Sequence, residues 1–243
     1  MNYLIDISYD GSKFHGWAKQ LNTYTVQGEI EKILSKIYKQ KIYIYGSGRT
    51  DTGVHAMHQF FNFHERKIHL NKLQLFNSLN GYFPKTIKVN EIFEVNKKFN
   101  ARTDARSKTY IYFINTGSFD LFKDNYLLNY NKKINIKKIK DASSLFVGKH
   151  NFLSFSKSIL ENNIRVIKKI SIWESQSIVN IEILGTGFLR NMVRMIIGSL
   201  IDINENKKEI KDIKKLLNNP LKGSSQSIVS PNGLYLKKVE YLI

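Results

Sequence analysis

Apolar residues recur along the first half of the chain with two periods, one typical of strands and one typical of helices. Strands are predicted at 4–8, 41–47 and 59–64, and helices at 26–37 and 70–79. Thr25 precedes the first helix as a candidate N-cap, and Pro84 follows the second. We expect Leu70, Leu73, Phe76 and Leu79 to form the buried face of that second helix.

The second half shows the same mixture of periods. Strands are predicted at 107–116, 167–174, 177–184 and 234–241, and helices at 136–145, 189–203 and 210–218. A join is placed near 100–106, and no long linker separates the halves. The pattern predicts an α+β fold of two α/β halves, residues 1–104 and 105–243, which share one continuous sheet and act as a single unit.

Composition excludes several kinds of chemistry. The 243 residues include no cysteine, so disulfides, thiolate zinc sites, iron–sulfur clusters and cysteine nucleophiles are ruled out. Asp6 and Asp10 interrupt the N-terminal segment, and the apolar run at 195–201 is too short to span a bilayer. We therefore expect a cytoplasmic protein with no membrane association.

The charge balance suggests a polyanionic partner. Lysine and arginine number 38 against 20 acidic residues, which gives a net charge of +18. Lysine tracts such as 132–133 and 207–208 suit a merely solvated surface. Of the seven arginines, however, five lie in the motif-like segments described next. Arginine is suited to geometrically defined contacts with phosphate and carboxylate, so this concentration favours a specific site.

The densest chemical signal is the segment 48–56, Gly-Arg-Thr-Asp-Thr-Gly-Val-His-Ala, which is predicted to be a glycine-rich turn after a strand. Asp51 is a candidate nucleophile or general base. Taken alone, an aspartate between glycines more often caps a turn through its side-chain oxygen. A phosphate-binding loop is disfavoured, because the Gly-Lys-Ser/Thr ending is missing and an aspartate would repel phosphate. His55 and His58 would point to opposite faces of a strand, so no metal site is predicted.

A second segment combines arginine with apolar residues. The predicted helix 189–203 has an apolar stripe at 189, 193, 196 and 200. Arg190 and Arg194 are four residues apart on the same face of this helix, so we expect an anionic partner that offsets their repulsion, be it a protein carboxylate or an RNA phosphate. Gly198 in the same helix predicts close packing against another backbone.

The segments 99–102 and 105–112 interleave basic and aromatic residues, as RNA-binding surfaces do. Arg102, Arg106 and Lys108 are predicted to contact RNA, together with Arg190. Tyr110 and Tyr112 share one strand face, and taken alone they are better explained as ordinary core or edge tyrosines.

Together these segments resemble the tRNA pseudouridine synthase A family over nearly the whole chain. The matching segments are 9–17, 25–27, 48–56, 99–102, 105–112, 188–198 and 233–236. The motif at 48–55 is highly specific for that family, whereas Asn100 stands where histidine is frequent.

The resemblance implies roles for individual residues. Asp51 corresponds to the nucleophilic aspartate, Arg49 to an arginine that helps to expel the target base, and Tyr110 to the tyrosine that stacks on uracil. Arg194 corresponds to the basic partner of the aspartate, whose charge favours the ionised carboxylate. Leu234 corresponds to an apolar residue that lines the pocket.

The resemblance also implies halves similar to RNA-recognition modules, a mixed and largely antiparallel central sheet, and a cationic cleft. It implies a homodimer that binds tRNA and acts at positions 38, 39 and 40 in the anticodon stem-loop. Neither a metal nor a nucleotide or other cofactor is expected, because the reaction only moves uracil from an N1 to a C5 bond with ribose.

Three starting steps are compatible with one carboxylate, namely attack on C1′, addition to the pyrimidine, and removal of a ribose proton. Two other functions are compatible with the motifs. One is the same chemistry on other tRNA uridines, and the other is a tRNA-binding or folding chaperone without catalysis.

Overall fold

The computed structural model describes residues 1–65 and 70–242 and divides the chain into two compact units. One unit consists of Met1–Arg106 and Tyr235–Ile243, and the other of Ser107–Leu234.

The described residues alternate strands and helices. The strands are β1 (Asn2–Tyr9), β2 (Tyr45–Gly46), β3 (His55–His64), β4 (Ile87–Val95), β5 (Ser107–Asn115), β6 (Leu128–Asn129), β7 (Gly148–Asn151), β8 (Ile164–Ser175), β9 (Ile178–Gly185) and β10 (Leu234–Glu240). The α-helices are α1 (Val26–Ile37), α2 (Lys72–Tyr82), α3 (Ile136–Ser143), α4 (Met192–Asn204) and α5 (Ile210–Asn218).

The strands are mostly antiparallel within each unit. In the first unit the order is β4–β1–β3–β10, with β10 parallel to β3 and with β2 paired to β3. In the second unit the order is β5–β9–β8–β7, all antiparallel, with the short β6 parallel to β5. The predicted α+β class with largely antiparallel sheets is confirmed. None of the helices in residues 1–65 and 70–242 is long and apolar enough to cross a membrane.

The first helix forms where its pattern predicts. Thr25 caps α1 by accepting a hydrogen bond from the Gly28 amide at 3.3 Å. Tyr38, which ends the helix, packs edge-on against Phe63 of β3 at 5.6 Å between ring centroids. The helix therefore covers the sheet face on which Phe63 and its cross-strand partner Tyr3 lie.

The predicted strand at 41–47 shortens to the two residues of β2. Ile42 and Ile44 are buried in alternation, as in a strand, but their amides donate to side chains of α1. Ile42 donates to Ser35 Oγ at 3.0 Å and Ile44 to Glu31 Oε1 at 3.4 Å. Because helix side chains accept hydrogen bonds from these two amides, the pairing with β3 is limited to Tyr45 and Gly46.

β4 was not predicted, and a bulge explains why. Asp6 of β1 pairs with Glu91, but the next residue, Ile7, pairs with Val89, so Asn90 is an extra residue. The bulge breaks the alternation between Val89 and Ile92, and the strand loses its period of two. The buried face of α2 was predicted only in part, since Leu79 is buried as predicted, but Leu75 is buried as well whereas Leu73 is 68% exposed.

Candidate active site

The loop that carries Asp51 is held at its start by a buried glutamine. Gln59 of β3 is fully buried, and its Nε2 donates to the Gly48 carbonyl at 3.1 Å. The hydroxyl of Ser47 donates to Gln59 Oε1, and the Ser47 amide donates to the Phe60 carbonyl at 2.7 Å. Gln59 lies outside the motif at 48–56 and was not among the predicted site residues. In the sequence Gln59 is only one of several polar residues in β3, so nothing distinguishes it before its contacts are known.

Thr50, the residue before Asp51, is fixed through both its side chain and its backbone. Its hydroxyl lies 2.8 Å from the Tyr9 hydroxyl, and its carbonyl accepts a hydrogen bond from the Trp17 amide at 3.1 Å. Thr50, Tyr9 and Trp17 are all buried. The segment 9–17 therefore serves as the scaffold beneath the loop, which explains why it accompanies the 48–56 motif.

Two glycines of this scaffold are required because the loop backbone lies directly on them. A Cβ on Gly11 would lie 2.0 Å from the Val54 carbonyl oxygen. A Cβ on Gly16 would lie 2.8 Å from the Thr50 carbonyl oxygen, and Gly16 also has a φ of +86°. The polypeptide on both sides of Asp51 is thus in backbone contact with the scaffold.

The turn at Asp51 is closed by main-chain atoms. The Val54 amide donates to the Asp51 carbonyl at 3.1 Å, and Gly53 adopts a φ of +80°, as the third residue of a type II turn requires. Because the backbone closes this turn, the carboxylate is not needed to close it. The Asp51 side chain is half-buried, whereas Arg49 is exposed.

The nearby histidines make structural contacts. His55 is buried, accepts a hydrogen bond at Nδ1 from the Gly11 amide at 3.1 Å, and stacks on Tyr235 at 4.6 Å between centroids. His58 lies on the opposite strand face, where its Nδ1 is 2.7 Å from Asp6 Oδ2.

The segment 99–102 rests on buried asparagines. Asn62 donates to the Phe99 carbonyl at 3.2 Å and accepts from the Ala101 amide at 2.8 Å, and Asn2 donates to the same Phe99 carbonyl at 3.0 Å. Arg102 is exposed on this platform. Arg106 is also exposed, and its amide donates to the Glu240 carbonyl at 2.8 Å.

The second unit contains the other predicted site residues. Tyr110 of β5 is 8% exposed, and its ring meets Phe188 edge to face at 5.2 Å between centroids. Leu234 is buried and Lys108 is half-buried. Tyr110 thus lies against Phe188 and deeper than a typical surface stacking residue.

Arg194 and Arg190 differ in a way that the helical pattern did not predict. Helix α4 begins at Met192, because Asn191 adopts a left-handed φ of +63°. Arg190 therefore lies before the helix and is exposed, and the prediction that it shares a helix face with Arg194 is wrong. Arg194 is half-buried in the first turn, where its Nε donates to the Val229 carbonyl at 2.8 Å.

The residues of the predicted apolar stripe are buried, and the tight packing predicted at Gly198 is confirmed. Val193, Ile196 and Leu200 lie on α4, whereas Leu189 is buried just before the helix begins. A Cβ on Gly198 would lie 2.9 Å from the backbone of Ser227 and Ile228, so this glycine permits contact between two backbones.

Comparison with known proteins agrees with the motifs. The family model described as tRNA pseudouridine synthase matches residues 6–104 and 142–242. The chain is 47% identical over 243 residues to tRNA pseudouridine synthase A of Malacoplasma penetrans, covering 99% of this chain and 100% of the relative. It is 44% identical over 242 residues to the protein of the same name from Ureaplasma urealyticum, with the same coverage of each chain.

Among solved structures the likeness is weak. The archaeal box H/ACA sRNP Nop10–Cbf5 complex aligns with 80% of this chain and 42% of that chain at 11% identity and a TM-score of 0.33, which adds nothing to the sequence matches. The resemblance inferred from the motifs is confirmed by the family model and the relatives, and the chain belongs to the tRNA pseudouridine synthase family.

Proposed function

We propose that the protein converts uridines 38, 39 and 40 of the tRNA anticodon stem-loop to pseudouridine, with Asp51 as the nucleophile. As a member of its family the chain is an isomerase of uridine in tRNA. The choice of uridines and the role of Asp51 are our proposals, and they follow the motif at 48–56.

The observation that carries the proposal is the anchoring of the Asp51 loop. Thr50 is bonded to Tyr9 and Trp17, and the turn after Asp51 is closed by backbone atoms. A carboxylate held on a rigid backbone is preorganised, so little ordering is needed when the substrate arrives. A residue that merely terminated a turn would not require a scaffold of two backbone-contacting glycines beneath it.

The chemistry balances without a cofactor. The bond between ribose C1′ and uracil N1 breaks, the base turns while it stays bound, and C1′ bonds to C5. The C5 proton leaves and N1 gains a proton, so no atoms are lost and no oxidation occurs. The carboxylate starts the reaction as a nucleophile, and the uridine must leave its stack to reach it.

We assign the remaining roles as the resemblance implies. Arg49 helps to displace the base, Tyr110 stacks on it, Arg194 supplies positive charge for the carboxylate, and Leu234 lines the pocket. Arg102, Arg106, Lys108 and Arg190 contact the RNA. These contacts suit a chain of net charge +18, because phosphate neutralisation dominates RNA affinity.

We further propose a homodimer that binds tRNA. Since tRNA is the substrate, we place the protein in the cytoplasm, where tRNA is used.

The test replaces Asp51 with asparagine and maps pseudouridine in an unmodified tRNA transcript. Asp51→Asn should bind the transcript with nearly unchanged affinity and form no pseudouridine. Asp141→Asn is the matched control, because it makes the same charge change on the exposed face of α3. Pseudouridine formed by Asp51→Asn at a rate near that of the wild type would overturn the role of Asp51. Wild-type product outside the anticodon arm would instead overturn the choice of uridines and leave the aspartate's role intact.

A further inference from the structure

We propose that the segment Ser225–Ser230, here called the strap, positions Arg194 for catalysis, and that Tyr112 and Ser227 are the positioning residues that hold the strap. The proposal rests on the function proposed for Arg194. All of the contacts that carry it lie within the second unit.

Val229 of the strap makes two hydrogen bonds with Arg194. Arg194 Nε donates to the Val229 carbonyl at 2.8 Å, and the Val229 amide donates to the Arg194 carbonyl at 3.3 Å. A guanidinium group is planar, so fixing Nε also fixes the direction of its two terminal nitrogens. The orientation of this cation therefore depends on where the Val229 carbonyl lies.

The strap then follows α4 along one stripe. Positions 194, 198 and 202 recur every four residues, so they lie on one side of the helix. Val229 contacts Arg194, the backbone of Ser227 and Ile228 lies against Gly198, and the Ser227 hydroxyl donates to Asp202 Oδ2. The missing side chain at Gly198 lets the strap lie on the helix backbone over this length.

A lysine fixes the end of the strap that is farther from Arg194. Lys208 Nζ donates to Asp202 Oδ2 at 2.7 Å, to the Ser225 carbonyl at 2.6 Å, and to the Ser227 hydroxyl. These three acceptors match the three protons of an ammonium group, and the Lys208 side chain is only 19% exposed. This cation therefore has a structural function and is not placed to bind RNA phosphate.

A buried tyrosine fixes the other end. Tyr112 is fully buried, and its hydroxyl donates to the Ser230 carbonyl at 2.8 Å. Gly233 lies against its ring, where a Cβ would be 2.9 Å from two ring atoms. Burial raises the pKa of Tyr112, and the nearby charge of Arg194 opposes that rise, so the phenol remains a hydrogen-bond donor.

The strap also ties Arg194 to a second site residue. Tyr112 lies two positions after Tyr110 on the same face of β5. β5 is therefore connected to Arg194 by hydrogen bonds, first from the Tyr112 hydroxyl to the strap and then from the Arg194 guanidinium to the strap. These bonds fix the position of Arg194 relative to Tyr110. A displacement of about 1 Å in this position can cost roughly a hundredfold in rate.

The test begins with Tyr112→Phe, which keeps the ring against Gly233 and removes only the hydrogen bond to the strap. We expect the turnover number for pseudouridine formation to fall about ten- to a hundredfold, with tRNA affinity within about twofold of the wild type. The control is Tyr130→Phe, which also removes a phenolic hydroxyl in the second unit, one that donates to Glu205 Oε1 at 2.9 Å and accepts from Asn204 Nδ2 at 3.3 Å. It should lower stability similarly and leave turnover unchanged.

A double-mutant cycle separates positioning from general structural damage. If the strap acts through Arg194, adding Tyr112→Phe to Arg194→Met should lower turnover no further. Ser227→Ala probes the opposite anchor and should show the same dependence on Arg194, which keeps the test decisive if Tyr112→Phe folds poorly.

Each failure has its own signature. Equal losses with and without Arg194, or full turnover in both strap variants, would overturn the strap proposal. Full turnover in Arg194→Met would instead overturn the function proposed for Arg194 itself.

Discussion

The Trp17 amide donates to the Thr50 carbonyl at 3.1 Å, which ties the residue before Asp51 to a segment more than thirty positions earlier in the chain. This bond is possible only because Gly16, the neighbour of Trp17, leaves room for the loop backbone.

Gly16→Ala should therefore destabilise the protein and impair catalysis. The new Cβ would lie 2.8 Å from the Thr50 carbonyl oxygen, at a residue whose φ is +86°. Strain of this kind costs about 1–3 kcal/mol. We expect urea denaturation to show a loss of that size, and turnover to fall well below that of the wild type at temperatures where both proteins are folded.

Gly81→Ala is the control for Gly16→Ala. Gly81 lies in α2 and has no neighbouring atom within 4 Å of a new Cβ, so the change should be neutral or stabilise by about 0.5–1 kcal/mol. Normal turnover in Gly16→Ala would show that the loop tolerates movement of Thr50.

Gly198→Ala decides between two opposing effects. Alanine raises helix propensity by about 1 kcal/mol, but its Cβ would lie 2.9 Å from the strap backbone, which has no flexible side chain to move aside. We expect the clash to win and the free energy of unfolding to fall. A more stable variant would mean that the strap can shift away from α4.

Arg194→Met should lower turnover, whereas Arg190→Met should weaken tRNA binding. Arg194 is proposed to supply positive charge for the Asp51 carboxylate, and the Val229 carbonyl fixes its orientation. Removing the guanidinium group should therefore lower turnover by roughly two orders of magnitude with little change in tRNA affinity. Arg190 is exposed outside the helix, so its loss should weaken tRNA binding, reduce the salt dependence of log K by about 1, and leave saturated turnover intact. Single-turnover rates measure the effect on catalysis, and tRNA binding at several salt concentrations measures the effect on affinity. Equal effects of the two changes would contradict the distinction.

Local patterns predicted much of this fold because their causes are local. The apolar stripe of α4, the cap at Thr25 and the tight packing at Gly198 depend on residue type and helical spacing, and all three are present. The family motif likewise identified the loop at Asp51, because its glycines and charges are adjacent in sequence.

The features that could not be predicted depend on partners that are distant in the chain or on single unusual backbone angles. β2 is short because Glu31 and Ser35 take the amides that would have paired. The first helical residue of α4 depends on the positive φ of Asn191. The role of Gln59 could not be predicted because it depends on a hydrogen bond from β3 to the Gly48 carbonyl, eleven residues earlier in the chain.

Asp6 makes stability depend on pH in an unusual direction. The residue is buried, its Oδ2 lies 2.7 Å from His58 Nδ1, and its Oδ1 has no hydrogen-bond partner among the described residues. Burial raises the pKa of Asp6 above the ordinary value of 3.8, although the hydrogen bond and charge of His58 oppose the rise. The folded state therefore holds this proton more tightly than the unfolded chain does.

Asp6→Asn should consequently be more stable than the wild type near neutral pH. As pH rises from 3.8 through the raised pKa of Asp6, the wild type loses stability relative to a variant that cannot ionise there. Below pH 3.8 Asp6 is protonated in both the folded and the unfolded wild type, so the difference in stability between the two proteins should shrink. Urea unfolding of both proteins across this range measures it, with the exposed Asp141→Asn as a control that should show no such trend. A variant that is less stable at neutral pH and equal to the wild type in acid would mean that the pairing with His58 outweighs burial.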